Sequence, residues 1–154
     1  MKITILSIGK FDKSFYHENF QFYQKRLKWK VELKEIEFKS SKGFEESKIK
    51  EQEAKLLIKN FENFSKIIAL DENGKSFSSV EFANMLENMN TSGNSNIAFI
   101  IGGAFGLSQE IKNRADVLIS LSRLTFPHLM VRTILIEQLY RASTIINNHP
   151  YHKI

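Results

Sequence analysis

Three short stretches of the chain hold residue types that chemistry can use: Ile101 to Gly106 (IGGAFG), Leu121 to His128 (LSRLTFPH) and Asn148 to Ile154 (NHPYHKI). Gly102 and Gly103 follow an unbroken apolar run, where glycines let a ligand approach the main chain. Their spacing fits neither G-x-G-x-x-G nor G-x-x-x-x-G-K-[ST], which argues against a nicotinamide fingerprint and against an NTPase phosphate loop. A tight strand-to-helix turn would use the same glycines. In the second stretch, Leu121, Leu124 and Phe126 offer an apolar surface for an adenine ring or a thioether chain. Main-chain groups from Ser122 to Thr125 could read a ring edge by hydrogen bonding. Pro127 confines Phe126 to extended conformations, although a strand end entering a helix at Pro127 accounts for these residues too. His128, His149 and His152 are three of the four histidines. With no cysteine, and only Glu137 nearby in sequence, they suit hydrogen bonding or proton relay near neutral pH better than metal binding.

These residues need a scaffold, and the hydrophobic pattern supplies one. Lys2–Ile8 and the strictly alternating Val31–Phe38 predict strands, as do the apolar runs Lys66–Leu70, Asn96–Ile101 and Val117–Leu121. Helices are expected from a cap at Asp12 or Ser14 to about Lys28, from Phe44 to about Asn60 and from Ser78 or Ser79 to about Met89. Two more are expected over Leu107–Asn113 and from Leu129 or Met130 to Ile145 or Ile146. Asp71-Glu72-Asn73-Gly74 reads as a turn. Strands alternating with helices at this spacing imply an α/β class: a mostly parallel sheet with helices on both faces, formed by one domain over residues 1–154. The chain's 154 residues can bury a real core. The absence of a signal-like start, of a long apolar run and of cysteine leads to the expectation of a cytoplasmic protein without a membrane span.

The net charge of +5 is uneven: residues 1–60 carry 14 basic against 9 acidic side chains, and residues 61–154 carry 8 of each. Lys25-Arg26-Leu27-Lys28-Trp29-Lys30 surrounds an aromatic with cations, a pattern that suits a nucleic-acid backbone and a stacked base. It equally suits a solvated helix end.

Taken in order, LDENGK (Leu70–Lys75), IGGAFGLS (Ile101–Ser108), LSRLTFPH, VRTILIEQLYRA (Val131–Ala142) and NHPYHKI resemble one family over the whole chain. It is the bacterial 23S ribosomal RNA pseudouridine N3-methyltransferases, the large-subunit methyltransferase H family of the SPOUT superfamily. The resemblance implies a SPOUT methyltransferase fold with a C-terminal trefoil knot, and a homodimer. It implies S-adenosyl-L-methionine as cofactor, held by Leu70, Gly102, Gly103, Leu121, Ser122, Arg123, Leu124, Thr125 and Phe126. The implied partner is the ribosome, where a pseudouridine of 23S rRNA helix 69 is the substrate. The tail of one subunit is expected to close over the site of the other. Members often have Arg where this chain has Lys153, and Pro or Gln where it has Leu129.

Methylation at N3 requires loss of the N3 proton and alignment with the sulfonium methyl. The residues expected to provide this are Tyr151, stacking on or positioning the base, and His152 or His128, accepting or relaying the proton. Lys153 would meet a flanking phosphate and favour the anionic base. Two other readings share much of the pattern: a non-catalytic ribosome-binding or assembly protein, and a methyltransferase for another RNA position.

Overall fold

Alternating apolar residues on the strands sort the chain into layers. The computed structural model describes residues 1–11, 15–39 and 43–153. Strands β1 (Lys2–Ile8), β2 (Lys30–Ile36), β3 (Lys66–Ser76), β4 (Asn96–Ile101) and β5 (Val117–Ser120) form a parallel sheet in the order β2-β1-β4-β3-β5. The helices are α1 (Phe15–Gln24), α2 (Glu46–Ile58), α3 (Ser79–Thr91), α4 (Gln109–Arg114) and α5 (His128–Ile146). On one face Ile3, Ile5, Ile97 and Phe99 pack against Phe20 of α1, Leu86 of α3 and Leu135 and Leu139 of α5. On the other, Leu6, Ala98 and Ile100 pack against Ala54 and Leu57 of α2 and Ile111 of α4. Strand β4 is buried on both sides, as a central parallel strand must be. The expected α/β architecture is the one observed.

Local signals set the element ends. Ser78 caps α3: its Oγ accepts from Glu81 N (3.2 Å), and Glu81 Oε2 accepts from Ser78 N (2.7 Å). Ser108 caps α4 in the same way through Ile111 N (3.3 Å), so that helix starts after Leu107. The caps proposed at Asp12 and Ser14 lie outside the described residues.

Two expectations need correction. Helix α1 stops at Gln24 instead of Lys28. Its last amides turn to tighter bonds (Arg26 N to Tyr23 O, 3.0 Å), and Gln24 Nε2 reaches out to Val31 O (3.0 Å) at the start of β2. The basic Lys25–Lys30 stretch is therefore mostly a turn entering β2. The second correction is at Asp71–Gly74, which does not end its strand. Leu70 and Lys75 both pair opposite Ile119, so the intervening residues bulge out and β3 resumes to Ser76. A Cβ on Gly74 would lie 2.6 Å from the Ile119 backbone, which only glycine tolerates.

Helices α3 and α4 leave β3 and β4 toward opposite faces of the sheet. A crevice lies beside the β3 bulge and the loops that leave β4 and β5.

Candidate active site

The crevice is a cavity of about 610 Å³, within the range that holds a nucleotide-sized ligand. Three segments build it: the bulge within β3 and the loops that leave β4 and β5. From β3 come Leu70, Asp71 and Asn73; from β4, Ile101 through Leu107; from β5, Leu121, Ser122, Leu124, Thr125 and Phe126. The first turn of α5 adds His128 and Val131. Of the nine residues expected to hold a cofactor, eight line this one cavity. Arg123 does not: it is exposed and does not line the cavity.

The glycine segment is a folded turn. Gly103 O accepts from Gly106 N (3.1 Å), and Gly106 has φ +77, a left-handed conformation that glycine adopts without strain. The β5 loop is braced from within: Ser120 Oγ donates to Ser122 O (2.8 Å), and Ser122 Oγ accepts from Leu124 N (3.0 Å). That turn pushes Leu124 outward, leaving it 72% exposed at the cavity mouth.

Opposite the apolar loop stands a charged wall of Glu46, Lys50, Asp71 and Lys112. Lys112 Nζ lies 2.6 Å from Asp71 Oδ2, with both side chains largely shielded from solvent. Burial opposes ionisation of Asp71. The hydrogen bonds from Lys112 and from Asn73 N outweigh it and hold the carboxyl below its ordinary pKa. Sequence reasoning missed this wall, since Lys50 and Lys112 sit in unremarkable charged helical segments. Asp71 was placed, but only as a turn residue.

His128 is half-buried, and burial followed by the nearby Arg132 charge lowers its pKa. Its imidazole is accordingly neutral at pH 7 and free to accept a proton. Arg132, one turn further along α5, is fully buried. Its Nη2 donates to Ile8 O (2.6 Å) and Gly9 O (3.0 Å), its Nη1 lies 3.4 Å from Glu35 Oε1, and its guanidinium sits over the Phe11 ring. This network pins the start of α5, and with it His128, to the carboxyl end of β1.

The tail residues lie elsewhere. Tyr151 donates to Glu137 Oε1 (3.0 Å), packs edge-on against Tyr140 and lies under the Arg141 guanidinium. Arg141 also pairs with Glu137 and approaches His152 Nδ1 (3.3 Å). Burial first, then the Tyr23 hydroxyl and the Glu137 carboxylate, raise the Tyr151 pKa strongly, so its hydroxyl stays protonated. An arginine can only donate, so Nδ1 of a neutral His152 accepts and its proton sits on Nε2. Glu137 is nine residues beyond His128, roughly 13 Å along the helix axis. Tyr151, His152 and Lys153 are absent from the lining of their own chain's cavity.

No described helix is long and apolar enough to cross a membrane. A family model described as a predicted SPOUT methyltransferase matches residues 1–152. A ribosomal RNA large subunit methyltransferase H of Clostridium botulinum (strain Hall) is 43% identical, over 99% of this chain and all of the relative. A ribosomal RNA large subunit methyltransferase H 1 of Clostridium perfringens (strain SM101) is 41% identical over the same shares. In fold the chain resembles a probable methylase family protein from Haemophilus influenzae (TM-score 0.58, 17% identity, 99% of this chain and 70% of that one). It also resembles a probable methyltransferase from Bordetella pertussis (TM-score 0.56, 8% identity, 92% and 95%). With its full length matched by the family model and by these relatives, the chain belongs to the ribosomal RNA large subunit methyltransferase H family of SPOUT methyltransferases.

Proposed function

We propose that the protein transfers a methyl group from S-adenosylmethionine to N3 of a pseudouridine in helix 69 of 23S rRNA, acting on the assembled ribosome in the cytoplasm. The observation that carries this reading is the cavity of about 610 Å³ between the β3 bulge and the carboxyl ends of β4 and β5, in a chain 43% identical throughout to a named rRNA methyltransferase. The residues present fit the cofactor. Leu121, Leu124 and Phe126 offer an apolar bed, Gly102 and Gly103 leave main chain bare of side chains, and Asp71, Lys50 and Lys112 provide fixed charges for a zwitterionic end. The cofactor supplies a methyl group on a positively charged sulfur that is its own good leaving group.

What remains for the protein is positioning, exclusion of water and proton management. Neutral His128, at the cavity wall, accepts the N3 proton. The tail positions the base: Tyr151 keeps its proton and presents a ring, and His152 offers Nε2–H as a donor. Lys153 meets a flanking phosphate as a point charge and favours the anionic base. Because the tail packs at Glu137, roughly 13 Å along α5 from His128, and does not line its own chain's cavity, a site that uses both is made by two copies. A homodimer with isologous contact, each tail closing over the other's cavity, meets that requirement. The C-terminal trefoil threading belongs to the same proposal, supported by the match to the SPOUT family model.

The test is incubation with tritiated S-adenosylmethionine and ribosomes lacking the modification, followed by mapping of the labelled nucleotide. Label at N3 of a helix 69 pseudouridine, lost on truncation after Asn148, is the expected result. Cofactor binding without label in any ribosomal RNA overturns the substrate. Neither binding nor label leaves the non-catalytic ribosome-binding reading.

A further inference from the structure

A carboxylate is buried where the apolar pattern has no place for one. Helix α2 turns Ile49, Ala54 and Leu57 toward the sheet, and Glu53 goes in with them, only 6% exposed. No ion pair reaches Glu53 among the described residues. Burying a carboxylate is costly unless it gains a partner, and the partner here is the glycine turn: Glu53 Oε2 accepts from Gly103 N at 3.3 Å. The contact is wider than one bond. A Cβ on Gly103 would lie 2.4 Å from Glu53 Oε1 and 3.0 Å from its Cδ and Oε2, so the carboxylate occupies the space of the missing side chain.

Gly103 is not among the residues with positive φ. Backbone conformation therefore does not demand glycine at this position; the Glu53 carboxylate does. Gly103 is held on both sides, its N–H by Glu53 and its C=O by Gly106 N at 3.1 Å. Glu53 itself lies outside the cavity lining, whereas Gly102 and Gly103 lie within it.

We propose that Glu53 is a positioning residue for the cofactor site: its carboxylate holds the Gly103 amide from behind and sets the shape of the turn that the methyl donor contacts. This rests on the reading of that turn as part of the S-adenosylmethionine site. Burial raises the Glu53 pKa while the Gly103 N–H lowers it, so the bond to Gly103 favours the charged form against desolvation.

The test uses the full chain with E53A, E53Q, G103A and the E53A/G103A double variant, together with E53M. The last keeps bulk on an apolar face and so preserves the fold, but offers no acceptor. Two measurements are made: S-adenosylmethionine affinity by calorimetric titration, and amide hydrogen exchange at Gly103 without cofactor. Loss of one charge-assisted hydrogen bond predicts about tenfold weaker binding for E53A, E53M and G103A. The double variant should bind no more weakly than either single change, because Ala at 103 has room once Glu53 is gone. E53Q, whose amide oxygen still accepts, should remain within about twofold of the unmodified protein. Exchange at Gly103 should rise in E53A and E53M. Additive losses, cofactor binding by E53M equal to wild type, or E53Q as impaired as E53A overturn the proposal. If wild type binds no S-adenosylmethionine, the functional reading fails. The exchange measurement still decides on Glu53, since unchanged protection at Gly103 in E53M overturns its role.

Discussion

Arg132→Met should be among the most damaging single changes away from the cavity lining. The guanidinium is fully buried and donates to Ile8 O at 2.6 Å and Gly9 O at 3.0 Å. Hydrogen bonds from a charged group contribute roughly 1.5–3 kcal/mol each. The pair with Glu35 at 3.4 Å adds little, since Glu35 is 30% exposed and such pairs are worth below about 1 kcal/mol. Against this, the buried Arg132 Nε has no partner among the described residues, and removing it recovers about 1 kcal/mol. Methionine keeps most of the packing volume. The net loss is then about 3 kcal/mol, a large part of the 5–15 kcal/mol that holds a domain together. At about 2–4 °C per kcal/mol for a chain of this size, the midpoint should fall by about 6–12 °C. Arg132→Lys keeps the charge and one bond and should lose roughly half as much. Urea and thermal melts read both variants. A loss under about 1 kcal/mol for Arg132→Met, with an unchanged m-value, would refute the assignment of this network as the anchor of α5.

Other consequences follow from single residues. If His128 takes the N3 proton, the methylation rate should fall only below the ordinary histidine range, because its pKa is lowered; His128→Asn should abolish that acid limb and reduce kcat more than KM. Lys112→Met leaves Asp71 charged and shielded without its partner, which should cost roughly 2–3 kcal/mol at neutral pH. The folded-state pKa of Asp71 is lowered, so its contribution is present above its unfolded value of 3.8 and lost as pH falls through the folded one. The Lys112→Met deficit should therefore shrink in acid, and a pH-independent deficit in chemical melts argues against the pair. Glu53 has the opposite sign: its raised pKa makes the fold lose stability as pH climbs from 4.5 through the folded value, and Glu53→Gln should flatten that slope in melts across the acid range. Ser78→Ala removes the hydroxyl half of the α3 cap, leaving the backbone bond to Glu81 Oε2, and should cost about 1 kcal/mol, read as a small drop in the thermal midpoint.

The sheet was legible because its strands carry their own signals: the buried runs Asn96–Ile101 and Ile3–Ile8 and the alternating Lys30–Ile36 could hardly be anything else. Capping residues marked α3 equally well. The glycine turn and the Leu121–Phe126 loop were readable as a cavity lining, since ligands gather at the carboxyl ends of parallel strands and the family motifs fall there. Arg123 came with the family's loop as a whole, and nothing in the motif says which way one side chain of a tight loop points. Asp71–Gly74 has turn composition, but its bulge is imposed by pairing with Ile119, a contact nearly a third of the chain away. Glu53 was invisible for a different reason. On a helix rich in Lys and Glu, one more glutamate looks solvated until the packing shows it behind Gly103.

The strand order also bears on synthesis. Strand β4 lies between β1 and β3, so the two parts of the sheet have no common neighbour until Asn96–Ile101 has been made. Every pairing is parallel and therefore spans a crossover, leaving no hairpin to nucleate the sheet early. A nascent chain ending before Asn96 carries β1 and β3 with open edges, the kind of exposed backbone that invites pairing with other chains. Two-thirds of the polypeptide must leave the ribosome before its centre can close, and the window of vulnerability is set by one late strand.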